Sequence, residues 1–169
     1  MNLFFIFIQL IGVVAWLLLV VSYYRKSINK ILSFQIISTI LYCLHYYLLG
    51  AYSGLFICIF EVIMDYGYYK TDWDDKLFKI SIPFYIIVGI FSYHNFIDLF
   101  SIFASLTDRY SLSKERRVAI IGGIVAYILW IIYDLHALSI SGVITDSILV
   151  LSNISIIIRE LKAQKKKLL

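Results

Sequence analysis

One apolar segment of the sequence carries a stripe of polar residues. Gly54, Cys58, Glu61, Asp65 and Tyr68 recur at steps of three and four, which places them on one face of a helix. An ionisable side chain at mid-bilayer costs about 2.5 to 3.5 kcal/mol, so this face should point into a bundle or a water-filled cavity. Glu61 is predicted to be a protonatable or solute-binding carboxylate; a protonated acid that joins helices is the alternative.

Three more polar residues are predicted to belong to the same site as Glu61. Asp65 lies nearer the end of the same segment, where Lys70 could pair with it, and is predicted to be a second charge or proton site. Asp146 and Asn153 take matching positions in the last apolar segment and are predicted to be the counterparts. A carboxylate at Asp146 would also be favoured simply because it lies near a helix N-terminus.

Four aromatic or imidazole side chains are predicted to form the walls of the same site: Tyr42, His45, Trp130 and Tyr133. The aromatic rings could stack on a flat or sugar-like solute, and His45 could relay a proton. The alternatives are an aromatic belt at the membrane interface and a histidine that only packs.

The remaining ionisable residues of the predicted spans are not expected to belong to the site. Asp98, Asp108 and Asp134 lie close enough to segment ends to be solvated, and no basic residue is expected within reach of Glu61 at mid-span. The tripeptide 108–110, Asp-Arg-Tyr, is predicted to be an ordinary charged helix end.

The sequence shows no enzyme signature and predicts no cofactor. It has no nucleophile with a base at a recognisable spacing, no HExxH motif and no phosphate-binding loop. Cys43 and Cys58 both lie in apolar runs, so they are predicted to be small apolar side chains rather than a disulfide or a metal site.

Composition predicts that the medium around the chain is lipid. Of its 169 residues 62% are hydrophobic and 15% charged, and the mean hydropathy is +0.88, which is too apolar for a water-soluble domain. The net charge of +4 therefore indicates topology rather than nucleic acid, and membrane lipid is the expected partner.

Seven transmembrane helices are predicted from apolar runs and their breaks. A single broken helix across 93–95 would leave six instead. The predicted spans are 2–24, 31–49, 55–69, 77–93, 95–109, 118–136 and 143–158.

The basic residues predict the orientation. With the N-terminus outside and the C-terminus inside, seven spans put all 15 Lys and Arg residues at the cytoplasmic face, where positive charges are retained. The basic tail, 162–169, is predicted to be a solvated topology determinant, with binding of anionic lipid headgroups as the alternative.

An internal repeat is predicted from one register of the chain on itself. It pairs Lys26 with Lys114 and 53–54, Ser-Gly, with 141–142, Ser-Gly. The predicted fold is an all-α, seven-helix 3+1+3 bundle of two parallel repeats. Its units are a first repeat at 1–70, a linker helix at 71–94, a second repeat at 95–161 and the basic tail at 162–169.

Several residues carry a resemblance to a known family. They are 45–52, His-Tyr-Tyr-Leu-Leu-Gly-Ala-Tyr, then 130–132, Trp-Ile-Ile, leading to 139–142, Ser-Ile-Ser-Gly, with Asp146, Asn153 and Arg159 following. Over nearly its whole length the chain resembles the YgjV-type bacterial inner-membrane proteins. That family is grouped with the SWEET, PQ-loop and PnuC-like transporters, so the resemblance implies a small transport fold in a bacterial cytoplasmic membrane.

This chain departs from the pattern of those families at several positions. It has no Pro-Gln pair, and its first and fifth predicted helices lack hinge prolines. Cys58, Met64 and Asp65 stand where YgjV-like proteins usually carry an Asn and an Arg-Asn pair. The resemblance therefore implies that this chain binds something different from what its relatives bind, or nothing.

The leading hypothesis is a SWEET-like transporter or facilitator of a small polar solute or proton, with its site between the repeats near mid-membrane. The alternative is a membrane interaction or accessory subunit that transports nothing. A cavity that touches both Glu61 and Trp130 would favour transport, whereas a dry, filled core would favour the accessory role.

Overall fold

A computed structural model describes residues 3–70, 74–112 and 114–167, and in these ranges the chain forms seven α-helices and no strand. Their order and number match the seven predicted segments. The helices are α1 (Leu3–Tyr23), α2 (Ile28–Leu49), α3 (Tyr52–Lys70), α4 (Asp74–Ser92), α5 (Asp98–Leu112), α6 (Arg116–Ala137) and α7 (Ile140–Lys167).

A turn separates α4 from α5, where the sequence left a six-segment alternative open. Asn95 Oδ1 accepts hydrogen bonds from the N–H groups of Ile97 and Asp98. Asp98 Oδ2 accepts from the N–H groups of His94 and Asn95. These side chains satisfy the backbone donors that a helix start leaves unpaired, so α5 begins as a separate helix.

Among the helices of the described residues, four are long and apolar enough to cross a membrane by length and composition. They cover Leu3–Ser22, Asn29–Leu49, Arg116–Ala137 and Ile140–Gln164, and Lys79–Ser92 is a shorter apolar helix. Helix α5 has 15 residues. At 1.5 Å per residue it is about 22 Å long, shorter than the hydrocarbon core of a bilayer.

The helices pack as a ring. Each of α1, α2 and α3 contacts the next, as do α5, α6 and α7, and the ring closes through contacts of α3 with α5 and of α7 with α1. Helix α4 packs against α3 and α5, at one of the two junctions between these groups. Two groups of three helices therefore enclose the middle of the structure.

The two groups match in detail. Adding 88 to the bounds of α2 (Ile28–Leu49) gives the bounds of α6 (Arg116–Ala137), and the same shift takes Tyr52, where α3 starts, to Ile140, where α7 starts. Both α2 and α6 end in a left-handed residue, Gly50 at φ 73° and Leu138 at φ 57°. The shift is the one that the sequence repeat predicts.

Small side chains allow close approach where helices cross. A Cβ atom on Gly12 would overlap Ser141 of α7 and come within 3.1 Å of His45, and one on Gly122 would overlap Ser111 of α5. Ser38 Oγ donates to the carbonyl of Ala15 across α1 and α2. Packing of small residues and interhelical hydrogen bonds are what hold helices together in lipid.

Pro83 differs from the sequence prediction. It was expected in the first turns of the fourth helix, but α4 begins at Asp74, so Pro83 lies in the helix interior. The helix starts earlier than its apolar run does, because the polar residues that precede the run are also helical. A proline there removes one backbone hydrogen bond of α4.

The turn after α2 gives a stability prediction. Gly50 has a positive φ, and no atom lies within 4 Å of the position that a methyl group would take, so Gly50→Ala should lower the free energy of unfolding through backbone strain, by about 1 kcal/mol. Reversible unfolding in detergent measures it. Gly50→Asn is the control, since asparagine tolerates this conformation and should cost less. Equal losses for both would contradict a conformational cause.

Candidate functional site

A cavity of about 400 Å³ lies inside the ring of helices. It is bounded by side chains from both three-helix groups and touches Glu61 and Trp130. This central cavity is lined by Leu19, Gln35, Ser38, Thr39, Tyr42, Tyr46, Cys58, Glu61, Asp65, Asp108, Arg109, Ala126, Tyr127, Trp130, Asp134, Gly142, Thr145, Asp146 and Leu149.

The polar stripe of α3 lies on the cavity wall, as its spacing predicts. Cys58, Glu61 and Asp65 all line the cavity. Glu61 Oε1 accepts a hydrogen bond of 3.0 Å from Ser105 Oγ of α5. A serine of the neighbouring helix therefore supplies a hydrogen-bond donor to this carboxyl.

Asp65 forms an ion pair with Arg109. Arg109 Nη2 lies 3.0 Å from Asp65 Oδ1, and the two side chains are only 10% and 15% exposed. Two sequence predictions fail here, since Arg109 was taken as part of an ordinary helix end and no cation was expected near Glu61. The α5 guanidinium reaches into the cavity because α3 and α5 are neighbours in the ring.

Aromatic rings form one wall of the cavity. Tyr46 stacks on Trp130 with ring centroids 6.1 Å apart and planes 21° from parallel, and Tyr42 stacks on Tyr46 with centroids 6.2 Å apart. Tyr42 also bonds Thr145 of α7 through its hydroxyl, at 3.0 Å. Tyr42 and Trp130 therefore line the cavity as predicted, and Tyr46 is a wall residue that the sequence reading did not select.

A set of buried hydrogen bonds closes the structure at the α2–α3 and α6–α7 turns. The residues of this turn-end network are His45, Tyr46, Ser53, Asp98, Tyr133, Asp134 and Ser139. The bond from Tyr46 O–H to Asp134 Oδ1, 2.8 Å long, links α2 directly to α6. This end of the ring is filled by polar side chains bonded to one another.

Tyr133 belongs to this network rather than to the cavity wall. Its hydroxyl oxygen accepts from the Gly54 N–H at 2.8 Å and lies 2.9 Å from Ser53 Oγ. Ser53 Oγ also lies 3.0 Å from Asp98 Oδ1. A hydroxyl has one proton, so Ser53 donates to the carboxylate and accepts from Tyr133. Tyr133 thus fixes the start of α3.

His45 is also a network residue and does not line the cavity. It is fully buried, with Nδ1 at 2.9 Å from the carbonyl oxygen of Ile8 and Nε2 at 3.0 Å from Ser139 Oγ. A carbonyl only accepts, so the proton is on Nδ1, and Nε2 of the neutral ring accepts from Ser139. The histidine joins α1, α2 and the α6–α7 turn.

The two turns are bound by matching residues of opposite halves. Tyr133 of α6 contacts Ser53 at the start of α3, and His45 of α2 lies 3.4 Å from Ser141 at the start of α7. His45 corresponds to Tyr133 in the sequence repeat, and Ser53 to Ser141. Tyr133 of α6 therefore binds the turn between α2 and α3, and His45 of α2 binds the turn between α6 and α7.

Two of the three acids that the sequence placed in solvent, Asp98 and Asp134, are buried instead. Asp98 is 8% exposed and Asp134 is 1% exposed, both within the turn-end network, and Asp108 lines the cavity. The prediction used distance from helix ends alone. The ends of these helices are covered by neighbouring turns, so proximity to an end did not mean contact with water.

The last two predicted site residues, Asp146 and Asn153, lie in different surroundings. Asp146 of α7 lines the cavity with Glu61, as the repeat suggests. Asn153 is half-buried against α6, where a Cβ on Gly123 would come within 2.9 Å of its amide nitrogen. Tyr42, Glu61, Asp65, Trp130 and Asp146 are thus brought together at the cavity, whereas His45, Tyr133 and Asn153 lie outside it.

The buried ion pair gives a second stability prediction. Asp65→Asn or Arg109→Gln alone breaks the buried ion pair and should lower the free energy of unfolding by about 3 to 5 kcal/mol. The double variant should lose clearly less than the sum, because neither charge then remains. Unfolding in detergent of the wild type, both single variants and the double variant measures the coupling; additive losses would show that the pair is not coupled.

Comparison with known proteins identifies the family. The family model Imp-YgjV, described as a bacterial inner membrane protein, matches residues 6–164. No curated protein and no solved structure matches the chain. The match covers all seven helices in whole or large part, including every residue of the central cavity. The chain therefore belongs to the YgjV family of bacterial inner membrane proteins.

Proposed function

We propose that this protein is a small SWEET-like transporter or facilitator, not an enzyme, that carries a small polar solute across the bacterial inner membrane. The observation that carries the proposal is the central cavity, because it touches both Glu61 and Trp130 and is bounded by both three-helix groups. Transporters built from repeats bind their substrates at the repeat interface near mid-membrane. A bundle that only anchored a partner would need no polar cavity there.

The proposed architecture is two parallel three-helix repeats with α4 as linker. The 88-residue shift between α2 and α6, and the left-handed residues Gly50 and Leu138 that follow them, support the repeat. The linker restores the orientation of the second repeat, which requires that α4 and α5 cross the membrane as separate spans. The basic residues then lie at the cytoplasmic ends of the helices, with the N-terminus outside.

In this orientation the turn-end network lies on the outer side. The bond between Tyr46 and Asp134 is at the boundary between network and cavity, since both residues also line the cavity. On the opposite side, Arg109 and Asp108 lie in the last turns of α5. The proposed path runs from the network past Glu61 and Asp146 to this charged end.

Transport is tested by solute uptake into proteoliposomes. Sugars, nucleosides and vitamins are each offered to vesicles that contain the purified protein. We expect a solute-dependent flux with at least one class, and Glu61→Gln should reduce it about tenfold or more because it removes a charge site of the cavity. Glu160→Gln is the matched control, since Glu160 lies outside the cavity and pairs with Arg116 at 3.3 Å.

Absence of flux with every class would count against transport. Co-purification of a stoichiometric partner, with Glu61→Gln altering assembly instead of flux, would point to the accessory role. Equal effects of Glu61→Gln and Glu160→Gln would remove the cavity from the mechanism even if flux were present.

The orientation is tested at both ends of α5, the shortest helix. Tyr93→Cys and Lys114→Cys, each in a background with Cys43 and Cys58 replaced by serine, carry the thiol at exposed positions before and after α5. A membrane-impermeant maleimide should label Tyr93→Cys in intact cells. It should label Lys114→Cys only after permeabilisation. Labelling of both from one side would rule out a crossing by α5.

A further inference from the structure

Acids outnumber bases on the described wall of the cavity. Five acidic side chains and one basic side chain line it: Glu61, Asp65, Asp108, Asp134, Asp146 and Arg109. Asp65 is paired with Arg109, and Glu61 accepts from Ser105. The wall carries four further acids besides the one in the ion pair: Glu61, Asp108, Asp134 and Asp146.

Asp134 is the acid whose bonding is incomplete. It is 1% exposed, its Oδ1 accepts from Tyr46, and its Oδ2 is buried with no hydrogen-bond partner in the described part of the chain. A buried carboxylate oxygen without a donor is costly unless a cation or a proton meets it.

Asp146 faces the same cavity from α7. Within the described residues its carboxylate makes no hydrogen bond, although Thr145 next to it is bonded to Tyr42 and to the Ser141 carbonyl. Asp134 and Asp146 therefore line one cavity from two helices. Both are placed to meet a ligand that donates or carries positive charge.

The aromatic wall completes the site. Tyr42, Tyr46 and Trp130 form a continuous stack, and Trp130 and Tyr46 line the cavity together with Asp134. The face of an aromatic ring attracts a cation, tryptophan most strongly, and it also stacks on another flat ring. Acids beside aromatic faces are the surroundings that organic cations favour.

We infer that the cavity binds a small organic cation with a flat ring, held between the carboxylates of Asp134 and Asp146 and the ring of Trp130. This inference rests on the proposed function and names the chemical class of its solute. The positive charge meets the acids, and the ring extends the aromatic stack. The Arg109–Asp65 pair at the other side of the cavity is electrically balanced and does not oppose such a ligand.

The charge requirement is tested by binding to the full chain in lipid nanodiscs, measured by equilibrium dialysis at mildly alkaline pH. The probes are N-methylpyridinium, its neutral isostere 3-methylpyridine, the flat anion nicotinate, and tetramethylammonium, which has the charge without the ring. We expect N-methylpyridinium to bind at least about tenfold more tightly than each of the others, because only it combines charge and ring.

Variants of the cavity residues show where N-methylpyridinium binds. Asp134→Asn keeps the shape and the bond to Tyr46, and Asp146→Asn is isosteric; each should weaken N-methylpyridinium binding about tenfold. Trp130→Leu should weaken it as well, whereas Trp130→Phe should retain most of it. Glu160→Gln, on α7 but outside the cavity, should have no effect. Thermal unfolding of each variant shows whether it is folded.

Each outcome decides between the proposals. Equal or tighter binding of nicotinate or 3-methylpyridine that still depends on Trp130 would overturn the cationic class and leave a solute site in the cavity. Binding of N-methylpyridinium that is unchanged by Asp134→Asn, Asp146→Asn and Trp130→Leu would place the ligand outside the cavity and overturn the inference. If none of the four probes bound, the inference would also be overturned. The proposed transport function would be overturned only if the uptake screen were negative as well. The four probes are compared on the wild-type protein, so the test of the cationic class does not depend on whether every variant folds.

Discussion

Polar side chains inside a bilayer must find their partners within the protein, because the hydrocarbon around them offers none. The bond between Tyr46 and Asp134 meets this constraint where the two three-helix groups face each other. It holds α2 against α6, and the bonds of His45 and Tyr133 then fasten the two turns on either side of it. The ring closes at this end for that reason, and the space enclosed beneath it becomes the central cavity.

The same bonds explain why the two groups of helices match in backbone but differ in side chains. Tyr46 and Asp134 occupy corresponding positions, as do His45 and Tyr133. Two identical acids at the first pair would repel each other, whereas a phenol and a carboxylate form a donor–acceptor pair. The difference in side chains between the two groups of helices is therefore what lets them bond to each other, and the equal lengths of α2 and α6 keep the pairs in register.

The charges of the cavity are divided along its length. Near the last turns of α5, Arg109 balances Asp65, so this part of the wall carries a compensated pair. Near the turn-end network, Asp134 and Asp146 stand beside aromatic faces with no base among the lining residues there. A solute that entered this space would meet Asp108 and the Arg109–Asp65 pair at one end, and Asp134 and Asp146 beside aromatic rings at the other. The charge on the solute would then decide how it is held.

The sequence by itself determined the membrane environment, the number and approximate bounds of the helices and the polar face of α3, whereas the break between α4 and α5 was predicted at 93–95 with a single broken helix as the alternative. These depend on local periodicity, on capping residues such as Asn95 and Asp98, and on composition. Only the tertiary structure decided that Arg109 reaches Asp65, that Asp98 and Asp134 are buried, and that His45 and Tyr133 bind turns instead of facing the cavity. Those facts depend on which helix faces meet across the ring, and the distance of a residue from the end of its own helix carries no information about that.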